Sequence, residues 1–212
     1  MERRYSKHYS YKTIWRVMRK YHLLPKIRRK RFVHCGEKTR TYVNLLNRNF
    51  HADRHNQKWV TDISYIPTKQ GTLFLSIIRD LFDLSIVAYK TSTRQSIKLV
   101  LDTVRLALKK EEVTAELQLH SDQGFQYASQ SYFALTTQYG ITPSMSRRAN
   151  PYDNAMAENF FSILKFECIR LYKPETILQA QTLIDSYIAF YNHERIQLNS
   201  KLSPIEKRRL FA

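Results

Sequence analysis

Three strand-like runs follow one another between residues 59 and 92, and they constrain the fold more than any other feature of this chain. The runs are WVTDISYI (59–66), TLFLSIIR (72–79) and SIVAYKTS (85–92). They are rich in β-branched and aromatic residues, and their short connections favour an antiparallel meander. Because Arg79, Asp80 and Asp83 interrupt the apolar stretch, it predicts two strands and a turn, not a membrane span.

Helical periodicity alternates with further strands beyond residue 92. An apolar stripe over residues 97–108 predicts a helix with Thr93 as its N-cap. The run ELQLHSD (116–122) predicts a fourth strand parallel to the first, because a helix connects them. A fifth strand is predicted at 141–146, and further helices at 131–139, 153–171 and 175–192. The whole pattern predicts an α/β fold in which helices flank a mixed five-stranded sheet.

Positive charge is concentrated at the N-terminus of this 212-residue chain of net charge +17. Residues 1–58 hold 17 lysines and arginines against three acidic residues. We predict two domains, a basic and mostly helical segment at 1–58 and a globular domain at 59–212. The basic segment is typical of binding to nucleic-acid phosphates, with a solvated helix face or an anionic membrane as the alternatives. The candidate DNA-binding residues of this segment are Arg16, Arg19, Lys20, Arg28, Arg29, Lys30 and Arg31.

The N-terminus and the cysteines indicate a cytoplasmic protein. The first ten residues lack the apolar core of a secretory signal. Cys35 and Cys168 are far apart and form no CxxC pair, so we expect both to be reduced. His34 beside Cys35 could suggest a zinc site, but the paired short spacings of a structural zinc site are missing.

Three carboxylates are the candidate functional residues. Asp62 lies in the first predicted strand, Asp122 ends the fourth, and Glu158 lies in a predicted helix. Because the first and fourth strands can be neighbours, both aspartates can project from the same edge of the sheet. Oxygen ligands without histidine or thiolate favour Mg²⁺, with Mn²⁺ as a substitute. Two such ions can stabilise the attacking and leaving oxygens of a phosphodiester displacement.

Each carboxylate also has a simpler structural interpretation. An aspartate at a strand end is most often a turn residue, and a glutamate on a helix is usually solvated. We assign Asp80 and Asp83 to a turn, and Asp153 to the start of its helix with support of the site as a lesser option. Lys165 lies seven residues after Glu158 and shares its helical face, where it can contact phosphate.

The three blocks that carry these residues resemble the integrase-type core of the DDE transposases of the bacterial insertion-sequence-three family, specifically its second-frame protein. The blocks are WVTDISYI, HSDQGFQY and SMSRRANPYDNAMAENFFSILKFE, with 35 residues between Asp122 and Glu158. This set is far more specific than an isolated D, D, E pattern.

The resemblance implies a ribonuclease H-like fold, metal ligation by Asp62, Asp122 and Glu158, and a DNA contact by Lys165. It also implies cleavage and joining of element ends, with DNA ends and target as partners and a homo-oligomer on DNA. Residues 10–32 resemble the last helix and exit of the family's helix-turn-helix module. We expect the rest of that module, and the first-frame protein as a possible partner, to lie outside this chain. The alternatives are a catalytically idle DNA-binding regulatory fragment and a ribonuclease H-like nuclease.

Overall fold

The computed structural model describes residues 9–23, 40–113, 116–148 and 150–211. The chain divides into two compact units, Met1–Cys35 and Gly36–Ala212. In the first unit, the helix α1 spans Tyr11–Lys20 and begins at Ser10, whose hydroxyl accepts from the backbone N–H of Thr13. This helix has no buried residue.

The second unit is built on a five-stranded sheet. Its strands are β1 (Lys58–Thr68), β2 (Gly71–Asp80), β3 (Ile86–Ser92), β4 (Gln118–Ser121) and β5 (Thr142–Met145). The spatial order is β3-β2-β1-β4-β5. The first three strands form an antiparallel meander, and β4 pairs in parallel with both β1 and β5. The prediction of a mixed sheet in which β1 and β4 are parallel neighbours is confirmed.

Helices cover both faces of the sheet. They are α2 (Ile97–Lys110), α3 (Gln130–Gln138), α4 (Ala155–Leu164), α5 (Arg170–Tyr172), α6 (Ile177–His193) and α7 (Pro204–Leu210). A 3₁₀ turn at Pro151–Asn154 leads into α4, and a π turn at Lys165–Ile169 joins α4 to α5. The helix predicted at 153–171 is therefore present but contains a π turn that the periodicity does not reveal.

Two apolar clusters occupy the two faces. On one face, α2 and α3 pack over Trp59, Ile78 and Leu119. On the other face, α4 and α6 pack over the strand residues Ile66 and Leu75. The resulting three layers are those of the ribonuclease H-like fold, as the resemblance implies.

Two local predictions differ from the structure. The N-cap of α2 is Ser96, whose hydroxyl accepts from the N–H of Leu99, and not Thr93, because β3 and a bend occupy the chain up to residue 94. Helix α7 was not predicted, although Ser203 and Glu206 form a capping box with a proline between them.

The boundary between the units lies upstream of the predicted position at residue 58. Leu46 and Ala52 are buried in a third cluster with Val60, Leu81 and Ala157. Residues 40–57 therefore pack against the sheet domain, although they show no periodicity that would predict an element.

Candidate active site

Asp62 lies in β1 just beyond the end of its pairing with β4. The last parallel pair joins Val60 to His120, while on the other side Asp62 lies opposite Ile77 of β2. The carboxylate is half-buried, and its Oδ1 accepts from the backbone N–H of Ile63 at 2.7 Å. Asp62 thus stands at the point where β1 has no strand on one side.

Asp122 follows directly after β4, which ends at Ser121. Its Oδ1 accepts from the backbone N–H of Gly124 at 2.9 Å, closing a tight turn. A Cβ at Gly124 would lie 2.9 Å from this same oxygen, so a side chain at this position would displace the carboxylate. The prediction that glycine permits a sharp turn and leaves Asp122 exposed is confirmed.

Glu158 lies in the first turn of α4 and is exposed. The opposite face of α4 is anchored in the core by Ala157, Phe160 and Leu164, all of which are buried. This anchoring directs Glu158 away from the core. With Asp122 it lines an open cleft of about 450 Å³.

The three carboxylates share one electrostatic environment. Burial is the main cause that raises the pKa of Asp62 to about 7, and the negative charges of Asp122 and Glu158 contribute to this rise. The Ile63 N–H and the Lys165 ammonium partly oppose this rise. Although Asp122 is exposed as a residue, partial desolvation of its carboxylate raises its pKa, against the hydrogen bond from Gly124. The carboxylates therefore interact across the gap between β1, β4 and α4.

The three carboxylates do not all line one cleft. Among the residues that the structure describes, no group of three or more histidine, cysteine, aspartate or glutamate side chains is arranged to hold a metal ion. Asp122 and Glu158 face one cleft, and Asp62 is not part of its lining.

Lys165 lies within electrostatic range of Asp62, whose pKa it lowers. Its ammonium is 4.8 Å from the centre of the Tyr65 ring. Within the described ranges it donates no hydrogen bond to a carboxylate. Burial and the charge of Arg170 lower the pKa of Lys165, while Asp62 raises it. A cation and an exposed aromatic ring therefore flank the carboxylates.

Asp153 binds more side chains than its position at the start of a helix predicts. Its buried carboxylate accepts from the backbone N–H, Nε and Nη2 of Arg147 at 3.0, 3.0 and 3.1 Å. It also accepts from Asn44 at 2.9 Å and Arg48 at 3.2 Å. These bonds hold the pKa of Asp153 well below its usual range. Asp153 thus ties Arg147, which lines the cleft, to the segment that precedes β1.

Asp80 and Asp83 form turn bonds as predicted and also bind a distant arginine. Their Oδ1 atoms accept from the backbone N–H of Phe82 and Ser85, respectively. Both carboxylates are buried and pair with Arg208 of α7, at 2.9 and 2.6 Å. These aspartates therefore fasten the C-terminal helix to the sheet domain.

The predicted DNA-binding residues of the N-terminal segment fall into two groups. Arg16, Arg19 and Lys20 are exposed on α1, and the Arg19 guanidinium lies 5.3 Å from the Trp15 ring. Arg28, Arg29, Lys30 and Arg31 lie outside the described residues, as does Cys35. Cys168 is buried with a free thiol. Within the described ranges no helix is both long and apolar enough to cross a membrane.

Comparisons with known proteins identify the family. An integrase core domain model matches residues 52–151, and a second integrase core domain model matches residues 158–209. The putative transposase InsK for insertion sequence element IS150 of Escherichia coli K12 is 38% identical over 97% of this chain and 73% of its own length. An uncharacterized transposase-like protein of Haemophilus influenzae is 37% identical over 94% of this chain and 93% of its length.

Transposase InsF for insertion sequence IS3A of Escherichia coli K12 is 37% identical over 59% of this chain, which spans 44% of InsF. The chain belongs to the integrase-core transposases of the insertion-sequence-three family. Solved retroviral structures share the fold at low identity. The HTLV-2 integrase catalytic core matches with a TM-score of 0.62 at 16% identity, over 74% of this chain and 99% of that core. A chain of the simian T-cell lymphotropic virus intasome matches with a TM-score of 0.66 at 17% identity, over 83% and 63%.

Proposed function

We propose that this chain cleaves and joins DNA strands at the ends of an insertion sequence, using a divalent metal ion bound by Asp62, Asp122 and Glu158. The observation that carries the proposal is that Asp122 and Glu158 line one cleft and lie close enough to Asp62 for their charges to raise its pKa. Three such groups from two strand positions and one helix are an unfavourable arrangement for folding alone, which indicates that they serve a site.

The donor set fits a hard divalent cation. All three side chains offer oxygen, which suits Mg²⁺ or Mn²⁺ better than a soft metal. A cation at this position would lower the pKa of Asp62, because its charge would offset the lost hydration and the repulsion by the neighbouring carboxylates. The HTLV-2 integrase core, which shares the fold, was solved in complex with magnesium.

When bound, a pair of such ions would activate the nucleophile and stabilise the leaving oxygen of a phosphodiester displacement. The residues of the chain prepare this chemistry. The Gly124 N–H orients one carboxylate oxygen of Asp122, and the Ile63 N–H orients one of Asp62. Lys165 supplies a positive charge beside the carboxylates for a DNA phosphate. The nucleophile is water in the cleavage step and a DNA 3′-hydroxyl in the joining step.

The proposed partners follow from the same reaction. DNA ends and target DNA are the substrates, and α1 presents Arg16, Arg19 and Lys20 for phosphate contacts. Joining two ends requires that both ends are held in one complex, so we propose a homo-oligomer on DNA. The first-frame protein would contribute end recognition.

The experiment is metal-dependent processing of labelled DNA that carries the element's terminal repeats. Wild-type chain with Mg²⁺ or Mn²⁺ is expected to nick and join the ends, and Asp122→Asn is expected to abolish both steps. Asp53→Asn is the matched control, because Asp53 is a strongly exposed carboxylate outside the site.

Three other outcomes would contradict the proposal. DNA binding without metal-dependent chemistry, with and without the first-frame protein, would favour an idle regulatory fragment. A preference for RNA–DNA hybrids in a substrate panel would favour a ribonuclease H-like nuclease. Processing that survives in Asp122→Asn would place the chemistry at other residues.

A further inference from the structure

The π turn at Lys165–Ile169 changes which residues follow Glu158 and Lys165 on one helical face. In a regular α-helix a residue five positions on lies about 140° around the axis, so Arg170 would face away from Lys165. Here the backbone N–H of Arg170 donates to the carbonyl of Lys165, which is the i→i+5 bond of a π turn. The inserted residue therefore brings Arg170 beside Lys165.

Electrostatics agree with this geometry. The charge of Arg170 lowers the pKa of Lys165, which shows that the two cations lie within range of each other. No salt bridge to Lys165 or Arg170 occurs within the described ranges. The carboxylate between them in sequence, Glu167, pairs instead with Arg195 at 2.6 Å and accepts from the Tyr187 hydroxyl. The protein thus holds two neighbouring cations without a carboxylate that would neutralise both.

The surface around these cations is open and basic. Arg170 lines a cleft of about 490 Å³ with Lys173 and with Lys69, whose ammonium pairs with Glu175. On the side nearer the carboxylates, Lys165 lies over the Tyr65 ring, which is 63% exposed. Tyr65 belongs to the part of β1 that extends past β4, so no strand covers this edge. Positive charge and an aromatic ring therefore continue from the carboxylates toward the β1–β2 turn.

We propose that the DNA surface of this chain extends beyond Lys165: Lys165 and Arg170 bind consecutive phosphates of a strand that leaves the carboxylate site, and Tyr65 positions the Lys165 ammonium. This inference rests on the proposed function, because it takes DNA as the ligand. Two neighbouring cations that form no salt bridge among the described residues match a polyanion with regularly spaced charges. The π turn is the structural device that aligns them, and such turns are frequent at functional sites.

The test measures DNA affinity of the full chain as a function of salt, without metal, using a labelled duplex with a 3′ overhang. Each lost phosphate contact reduces the slope of log affinity against log salt by about 0.9. Arg170→Gln is expected to reduce the slope by about this amount and to weaken binding several-fold at low salt. Arg170→Lys is expected to restore most of the slope, because the charge and not the helix is at issue.

Two further variants isolate the local contact. Lys109→Gln removes the same charge from α2, which packs on the opposite face of the sheet, and is expected to leave the slope almost unchanged. Tyr65→Phe keeps the ring and is expected to bind DNA as wild type does, whereas Tyr65→Leu is expected to weaken binding.

The results separate this inference from the proposed function. If the wild type processes DNA but Arg170→Gln has the same salt slope as Lys109→Gln, the extended surface is wrong and the catalytic proposal stands. If the wild type does not process DNA, but Arg170→Gln still lowers the salt slope of binding and Arg170→Lys restores it, the surface is supported and the catalytic proposal fails.

Discussion

The substitution Asp62→Asn is expected to stabilise the metal-free chain while abolishing its activity. Burial and two neighbouring carboxylates raise the pKa of Asp62 from 3.8 to about 7. At about 1.36 kcal/mol per pKa unit, ionised Asp62 costs the folded state on the order of 4 kcal/mol. Asparagine carries no charge, and its Oδ1 can still accept from the Ile63 N–H.

The sign of the pH dependence follows from the raised pKa. The folded chain holds the Asp62 proton up to about pH 7, whereas the unfolded chain releases it near pH 4. The stabilising contribution of the protonated group is therefore fully present below pH 3.8 and is lost as the pH rises through 7. Asp62→Asn does not lose it, so its advantage over wild type is expected to grow by about 3 kcal/mol between pH 5 and pH 8.

Urea unfolding at pH 5 and pH 8 in the presence of a chelator measures this difference. Asp53→Asn, at a side chain that is 79% exposed, is the control and is expected to change the free energy of unfolding by less than about 0.5 kcal/mol at both pH values. An advantage of Asp62→Asn that is equal at pH 5 and pH 8, or a loss of stability at both, would refute the electrostatic reasoning.

Three further predictions concern the metal, the cleft and the C-terminal helix. Below pH 7, the apparent affinity for Mg²⁺ is expected to fall about tenfold per pH unit, because binding must release the Asp62 proton; isothermal titration calorimetry measures both the affinity and the proton. Asp153→Asn is expected to cost about 2 kcal/mol of stability and to slow DNA processing, because it weakens the bonds that hold Arg147 at the cleft. Urea unfolding measures the stability and single-turnover kinetics measure the processing rate; wild-type values of both would contradict the prediction. Arg208→Gln is expected to destabilise by about 3 kcal/mol in thermal unfolding, because Asp80 becomes a buried charge without its partner; the neighbouring exposed Arg209→Gln should unfold as wild type does.

Local patterns predicted the sheet and most of the helices. Strand runs that alternate with amphipathic stripes define the order of elements, and the helix that leads into β4 favours a parallel pairing of β4 with β1. The same patterns place Asp62 in a strand, Asp122 at a strand end and Glu158 on a helix. The turn at Gly124 was also predictable, because only a small residue leaves room for the Asp122 carboxylate.

Contacts between distant segments were not predictable in the same way. Hydrophobic periodicity records which side of an element is buried, not which residues it meets. Residues 40–57 have no periodicity, yet they dock on the sheet domain and bind Asp153 through Asn44 and Arg48. The turn interpretation of Asp80 and Asp83 was sound but incomplete, because Arg208 lies 125 residues beyond Asp83.

The sequence by itself determined the order of the strands and of most helices, the resemblance to the family, and three candidate carboxylates. These are local properties, since propensity, periodicity and motif spacing are all written along the chain. Only the tertiary structure decided that the pKa of Asp62 rises to about 7, because desolvation and the charges of Asp122 and Glu158 depend on where three separate elements meet. It also decided that Arg170 follows Lys165 on the same side of the helix, because the π turn forms within a helix whose buried face is set by packing on the sheet.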